Sequence, residues 1–419
     1  MESCDLLITG ASQLITMHTG AAWPRAGPGM AELGLIEDGG VAVRAGRILA
    51  AGPSADLRSR FEAPVVIQAA GKVVMPGLVD PHTHLVFAGS RENEFELRLA
   101  GISYQEIARR GGGILSTVRA TRAASREALI EQARARLDRM LRWGTTTVEA
   151  KSGYGLSTAD ELKQLDVAKA LNDEGPVTIV STFMGAHEVP AEHRTDRRRY
   201  LDGLIAETIP RVAEAGLAVF NDVFCETGVF TPDESRAILE AGVRCGLRPK
   251  VHADELSSCG GGELAGQVGA ISADHLVHPS DAGLDALRQH GVMAVLLPGT
   301  SFCLRSRYAP ARRMIEMGIP VALATDLNPG SCPIEAMPII IGLACLNLGL
   351  TPAEALTAAT VNAACAIGLG DRIGRLSAGL EADLLILDLP DYRGIPYYFG
   401  RNPVETVVKA GRIVWEWRT

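Results

Sequence analysis

The stretch Val73 to Leu85, VVMPGLVDPHTHL, decides how the rest of the chain is read. An apolar, β-branched run leads through Asp80 and Pro81 and stops at two histidines separated by one residue. Successive side chains on a strand point to opposite faces, so His82 and His84 share one face and are spaced to grip a single ion.

Working outward, short apolar runs alternate with longer stretches of helical period, such as SREALIEQARARLDRMLRWG over residues 125–144. The strand candidates are VVMPGLVDPHTH, TTTVEAKSG, TIVSTFMGAH, LAVFNDVFCE, RPKVHAD, AISADHL, VMAVLLP and PVALATD. Eight apolar strands with intervening helices are what a (β/α)8 barrel requires, with its chemistry at the C-terminal strand ends. A doubly wound parallel sheet is the alternative that element order leaves open. Residues 1–76 read instead as short strands and turns, and residues 371–419 repeat that character in ADLLILDLP and VETVVKAGRIVWEW. The two ends are expected to pair in one small β-sandwich, with the barrel over 77–370. The phrase AGRI occurs in both ends, at Ala45–Ile48 and Ala410–Ile413.

Composition limits the function classes. Of 419 residues, 47% are hydrophobic and 21% charged, the profile of a soluble globular enzyme. A formal charge of −8 gives nucleic acid or an anionic membrane no electrostatic support. No run of about 18 apolar residues suggests a membrane span, and the N-terminus lacks a basic segment followed by an unbroken apolar one. The eight cysteines form no CxxC pair, so they read as reduced thiols, and the expected compartment is the cytoplasm.

Of nine histidines, five (82, 84, 187, 252 and 275) fall at the C-terminal ends of strand candidates, and Asp326 ends the eighth. His82, His84, His252 and Asp326 make a mixed nitrogen and oxygen set suited to Zn²⁺ or another divalent transition ion, with room for a water. The fourth strand carries no lysine to be carboxylated as a bridge, which favours one metal, although Glu226 at its end keeps a second conceivable. Glu255, three residues beyond His252, is either a reacting carboxyl or a helix N-terminal acid. His275 is placed to move a proton or to orient a ligand. Arg91 lies on the first strand-to-helix loop, where a planar guanidinium suits a substrate carboxylate. KSGYGL supplies Tyr154, and DLNPGS continues past Asp326 with a turn whose backbone N–H groups could hold a carboxylate. RRGGGI reads equally as a lid or a helix stop, and EHRTDRRRY as a solvated basic face.

With DPHTHLVFAGSRENEF, SYQEI, GGGI, KSGYGL, GAH, DVFCE, KVHADE, SADHL and ALATDLNPGS together, the chain resembles the amidohydrolase superfamily over nearly its whole length. Within that superfamily it is most similar to the enzymes that open 4-imidazolone-5-propanoate in histidine degradation. The resemblance implies one zinc or iron ion, zinc preferred, on His82, His84, His252 and Asp326. It implies substrate contacts from Arg91, Tyr154, His187 and Glu255, with Asn328, Gly330 and Ser331 at the glutamate-like end and Tyr104 nearby. Glu255, His275 and Asp326 are the candidates for moving protons, and a homodimer is the implied assembly. Glu188 stands where the resemblance leads one to expect a small residue. Two other readings stay open: a nucleobase deaminase, to which Arg91 would be useless, and a metal-free scaffold, which intact ligands oppose.

Overall fold

A computed structural model describes residues 1–20, 22–102, 104–109 and 111–417, with only the backbone of Tyr104, Gln105 and Ala108. From Leu78 onward, eight parallel strands alternate with helices: Leu78–Asp80, Thr145–Lys151, Thr178–Ala186, Phe220–Cys225, Arg248–Ala253, Ser272–His275, Met293–Leu296 and Val321–Leu323. Each pairs with the next in chain order. Every residue of Thr145–Lys151 and of Phe220–Cys225 is buried. Strands covered on both faces can be nearly continuous apolar runs, which is why these read so plainly in the sequence. The ring closes beyond the strands proper. Thr83 bridges Leu327 in parallel, the Asp326 N–H donates to the His82 carbonyl at 3.0 Å, and the His84 N–H donates to the Leu327 carbonyl at 2.9 Å.

The outer helices start where side chains cap them. Thr231 and Glu234 form a capping box with Pro232 in the first turn, and Thr351, Pro352 and Glu354 repeat it. Ser125, Ser157 and Ser280 each accept a backbone N–H at the start of a helix. Each cap satisfies donors that the helix itself cannot.

The leading stretch divides between two sheets. Val73–Pro76 pairs antiparallel with Leu384–Leu387 and parallel with Leu6–Ile15, whereas Leu78–Asp80 belongs to the barrel. The switch is at Gly77, whose N–H donates to the Asp383 carbonyl while that of Leu78 donates to Gly144. A Cβ at Gly77 would lie 2.3 Å from the Thr146 hydroxyl oxygen, so the crossing demands glycine. The β-sandwich domain joins the two chain ends. Its strands run in the order Arg412–Glu416, Val404–Lys409, Leu384–Leu387, Val73–Pro76, Leu6–Ile15, Leu35–Arg44 and Arg47–Pro53, with Val65–Gln68 also on Leu6–Ile15. Ile8, Leu14, Val43, Val74, Leu384 and Val408 fill its core. The two AGRI phrases are hairpin turns. Ala45 and Gly46 have φ of 50° and 76°, Ala410 and Gly411 of 46° and 75°, the pattern of a two-residue turn with both φ positive. The tips meet through Ala382, whose N–H donates to the Gly46 carbonyl and whose carbonyl accepts from Gly411.

Candidate active site

The barrel closure carries Asp326 to the histidine pair. Its Oδ1 lies 3.5 Å from His82 Nε2 and 3.7 Å from His84 Nε2. The His252 ring sits 4.5 Å from that of His82, and His275 follows at 5.4 Å. His275 and Asp326 hold φ of 74° and 56°, left-handed values that cost energy for residues with a Cβ and cluster where structure must aim a side chain.

The donor set fits a metal ion. Among the described residues, His82 Nε2, His252 Nε2 and His275 Nε2 are buried with no hydrogen-bond partner. Buried polar atoms are seldom left so, and three in one cluster need a common explanation. Two triads, His82/His252/His275 and His82/His84/Asp326, each bring their ligand atoms within 4.8 Å of one another, with His82 common to both. Burial pushes the imidazoles of His82, His84 and His275 well below their usual basicity, which keeps their lone pairs open to a cation. It pushes the Asp326 carboxyl up to about 6, against the Thr300 hydroxyl that donates to it at 2.5 Å. A nearby cation would pull that value back down. A third triad, His82/Glu149/Asp274, has its cation already: Lys151 Nζ lies 2.9 Å from Glu149 and 3.4 Å from Asp274.

Lys151 organises the layer beneath. It also reaches Asp222 at 2.7 Å. Asp274 in turn meets His82 Nδ1 at 2.6 Å, and Asp222 lies 3.0 Å from His252 Nδ1. All four charged side chains are fully buried. Carboxylates behind imidazoles set the ring's tautomer and direction. Sequence reasoning passed over Lys151, Asp222 and Asp274, although each is a charge inside an otherwise apolar strand, itself a signal. Burial works against the Lys151 ammonium, but Asp222, Glu149 and Asp274 outweigh it and hold its pKa above the ordinary lysine value.

Above the cluster opens a cavity of about 560 Å³ lined by His84, Arg91, Tyr154, His187, Glu255, His275, Asp326, Asn328 and Ser331 among others. His187 stacks on His84 at 4.9 Å, and its Nδ1 lies 3.1 Å from the Gly153 carbonyl. Burial and then His252 push its pKa down to about 3, so the ring is neutral. Glu255 lies 3.6 Å from His275, and burial, then Asp326 and Glu226, raises its carboxyl well above the usual range. Its loop is held by Glu226, which accepts the N–H groups of Leu256 and Ser257 and the Ser257 hydroxyl. Glu226 thus holds a loop, and the second ion that its position left conceivable finds that carboxylate engaged. Glu188, the departure from the expected small residue, also lines the cavity, and burial raises its carboxyl.

Arg91 is buried and gripped by Glu94, through Nε at 2.8 Å and a terminal nitrogen at 2.7 Å. Glu94 also accepts the Gly113 N–H at 2.9 Å, so the GGG segment is a turn tied to this pair. A Cβ on Gly330 would fall 1.9 Å from an Arg91 terminal nitrogen, so the guanidinium lies flat on that glycine. The DLNPGS turn differs from expectation. Its Gly330 and Ser331 N–H groups already donate to Asn328 Oδ1, at 2.8 and 2.7 Å, and are not free for a carboxylate. Asn328 Nδ2 donates to Ser331 Oγ at 2.7 Å, which leaves that hydroxyl its own proton to give. An asparagine closing its own turn is a use of these N–H groups that competes with anion binding. The Tyr104 side chain lies outside the described residues, and the basic EHRTDRRRY run forms ion pairs such as Arg197 with Glu234 at 2.7 Å.

Comparison with known proteins places these features. A profile described as "Amidohydrolase family" matches residues 73–414, and one described as "Imidazolonepropionase-like composite domain, bacteria" matches residues 39–61. The imidazolonepropionase of Geobacillus kaustophilus (strain HTA426) is 54% identical over 413 residues, 98% of this chain and 97% of that protein. That of Symbiobacterium thermophilum is 56% identical over 419 residues, 99% of this chain and 98% of that protein. Among solved structures, E. coli guanine deaminase aligns with a TM-score of 0.74 at 16% identity, covering 98% of this chain and 99% of its own. An adenosine deaminase from Xanthomonas campestris with bound zinc gives 0.71 at 21%, covering 98% and 93%. These two show the fold alone.

Proposed function

The chain belongs to the amidohydrolase family, and from that premise we infer that it performs the reaction of its full-length relatives. It is a hydrolase of a cyclic amide, opening 4-imidazolone-5-propanoate to N-formimidoyl-L-glutamate in histidine degradation. One observation carries the reading: a single cavity holds both the histidine and aspartate cluster at its floor and a guanidinium at its wall. The floor suits hydrolysis, and the wall suits a ring that bears a carboxylate.

His82, His84, His252 and Asp326 would hold one divalent ion. When bound, such an ion acidifies a water and polarises a carbonyl. Zinc is preferred over iron because three imidazoles and one carboxylate match its usual ligand set. The protein's own groups do the rest. Glu255, whose carboxyl burial raises well above the usual range, donates a proton to the ring nitrogen as the C–N bond breaks. His275, a neutral imidazole, takes up the proton that the attacking water gives up, and Asp326 is the second acceptor in reach. His187 and Tyr154 flank the ring. Arg91 and the Ser331 hydroxyl hold the propanoate, with Asn328 and Gly330 shaping the turn beneath it; Tyr104 is a further contact that the family resemblance implies.

A nucleobase deaminase is the alternative, but a neutral base gives Arg91 nothing to bind. The partner is then a small molecule, and a homodimer in the cytoplasm is the assembly proposed with it. The eight cysteines are free thiols. Among the described residues no helix is long and apolar enough to cross a membrane. Incubation with freshly made imidazolonepropanoate, followed by mass analysis, is expected to yield formimidoylglutamate. Intact substrate beside a deaminated purine or pyrimidine would replace this reading with the alternative.

A further inference from the structure

We propose that Arg98, which nothing in the sequence pattern singled out, is a second anchor for the ligand's terminal carboxylate. Arg98 is partly exposed on the helix Glu92–Leu99 and lines the same cavity as Arg91, His187, Asn328 and Ser331. One terminal nitrogen donates to the Gly330 carbonyl at 2.8 Å. The same glycine lies under the Arg91 guanidinium, so two guanidinium groups close on one residue, and Ser331 with its available hydroxyl proton is the next residue along.

Their charge states differ. Arg91 is neutralised by the buried Glu94, which it meets through two nitrogens. Arg98 makes no ion pair with a carboxylate among the described residues; besides the Gly330 carbonyl it has only the Phe95 ring, at 5.9 Å. Of the acids in the second cleft that Arg98 lines, Glu335 pairs with Arg139 at 2.6 Å, and Glu92 is fully exposed beside the Ser90 side chain. Arg91, Arg98 and Glu94 therefore leave a surplus of one positive charge at this wall. That surplus complements a ligand with one terminal carboxylate, and Arg98 supplies it. A guanidinium can keep one N–H on a carbonyl and still present others to an anion.

The proposal rests on the reading above that the substrate carries a propanoate, and its test separates the two. Binding of imidazole-4-propanoate and of the uncharged imidazole-4-propanamide is measured by titration calorimetry on the metal-loaded wild type, on Arg98→Met and on Arg98→Lys. Arg98→Met should weaken the acid by about 10- to 100-fold, the worth of one charge-assisted hydrogen bond, and leave the amide within about twofold. Arg98→Lys should recover part of the loss. An acid-to-amide ratio that Arg98→Met does not change overturns the anchor, and so does wild-type protein that fails to prefer the acid. Turnover of imidazolonepropanoate alongside either result leaves the assigned reaction standing without this residue.

Discussion

Replacing Lys151 by methionine removes one charge from a sealed cluster and keeps the volume. The ammonium sits 2.7, 2.9 and 3.4 Å from Asp222, Glu149 and Asp274. In the variant these three carboxylates retain one buried lysine, Lys250, 3.3 Å from Glu149. Removing one partner of a buried ion pair costs about 3–5 kcal/mol, because the remaining charge stays buried and uncompensated. Asp222 and Asp274 are also the groups behind His252 and His82, so their rearrangement should misdirect two ligands. Disturbing such supporting groups typically weakens metal binding about 10- to 100-fold. The assay is a pair of measurements on purified protein: denaturant unfolding of the apo form, and zinc affinity by competition with a chromophoric chelator. A stability loss within 1 kcal/mol of zero together with wild-type zinc affinity would refute the reasoning. A stability loss with unchanged affinity would confine Lys151 to the core.

Other perturbations test separate parts. Gly330→Ala would drive a methyl into Arg91, 1.9 Å from a terminal nitrogen, and should raise KM by about tenfold, one charge-assisted contact; an unchanged KM would remove Arg91 from the substrate. His275→Ala should keep its metal and lose about 10²- to 10⁴-fold in kcat, the usual worth of a positioned acid or base, and loss of the metal would make His275 a ligand instead. Glu354→Ala removes a capping box and a pair to Arg312 at 2.8 Å, for a cost of about 1 kcal/mol at neutral pH once the half-exposed arginine is discounted. Burial opposes the Glu354 charge, but Arg312 and Thr351 outweigh it and lower its pKa. Its folded value lies below the unfolded one, so its contribution is present above about pH 4.3 and is lost as pH falls through the folded value. Unfolding curves of variant and wild type should converge in that acid range.

The barrel was legible because its strands are covered on both faces and end in polar residues, two signals that coincide at His82, His252, His275 and Asp326. The switch between sheets at Gly77 was not, because VVMPGLVD is one apolar run and only the Thr146 contact reveals the crossing. AGRI is a four-residue match that says little by itself, yet it is one turn chemistry used twice at tips that meet. Within the site, residues at strand ends could be found from position alone. Lys151, Asp222 and Asp274 required the cross-strand register that sets them together. DLNPGS reads as a turn with open N–H groups, but the asparagine two residues before Gly330 takes both. Arg98 was hidden by its helix, since a polar face gives no reason to prefer one arginine.

The central claim is a single-metal hydrolase. It is tested most directly by stripping the protein with a chelator, titrating zinc back, and following the loss of imidazolone absorbance at each addition. Activity should be absent at the start and rise linearly to a break at one ion per chain. A break at two ions, or full activity in the stripped protein, would contradict the account.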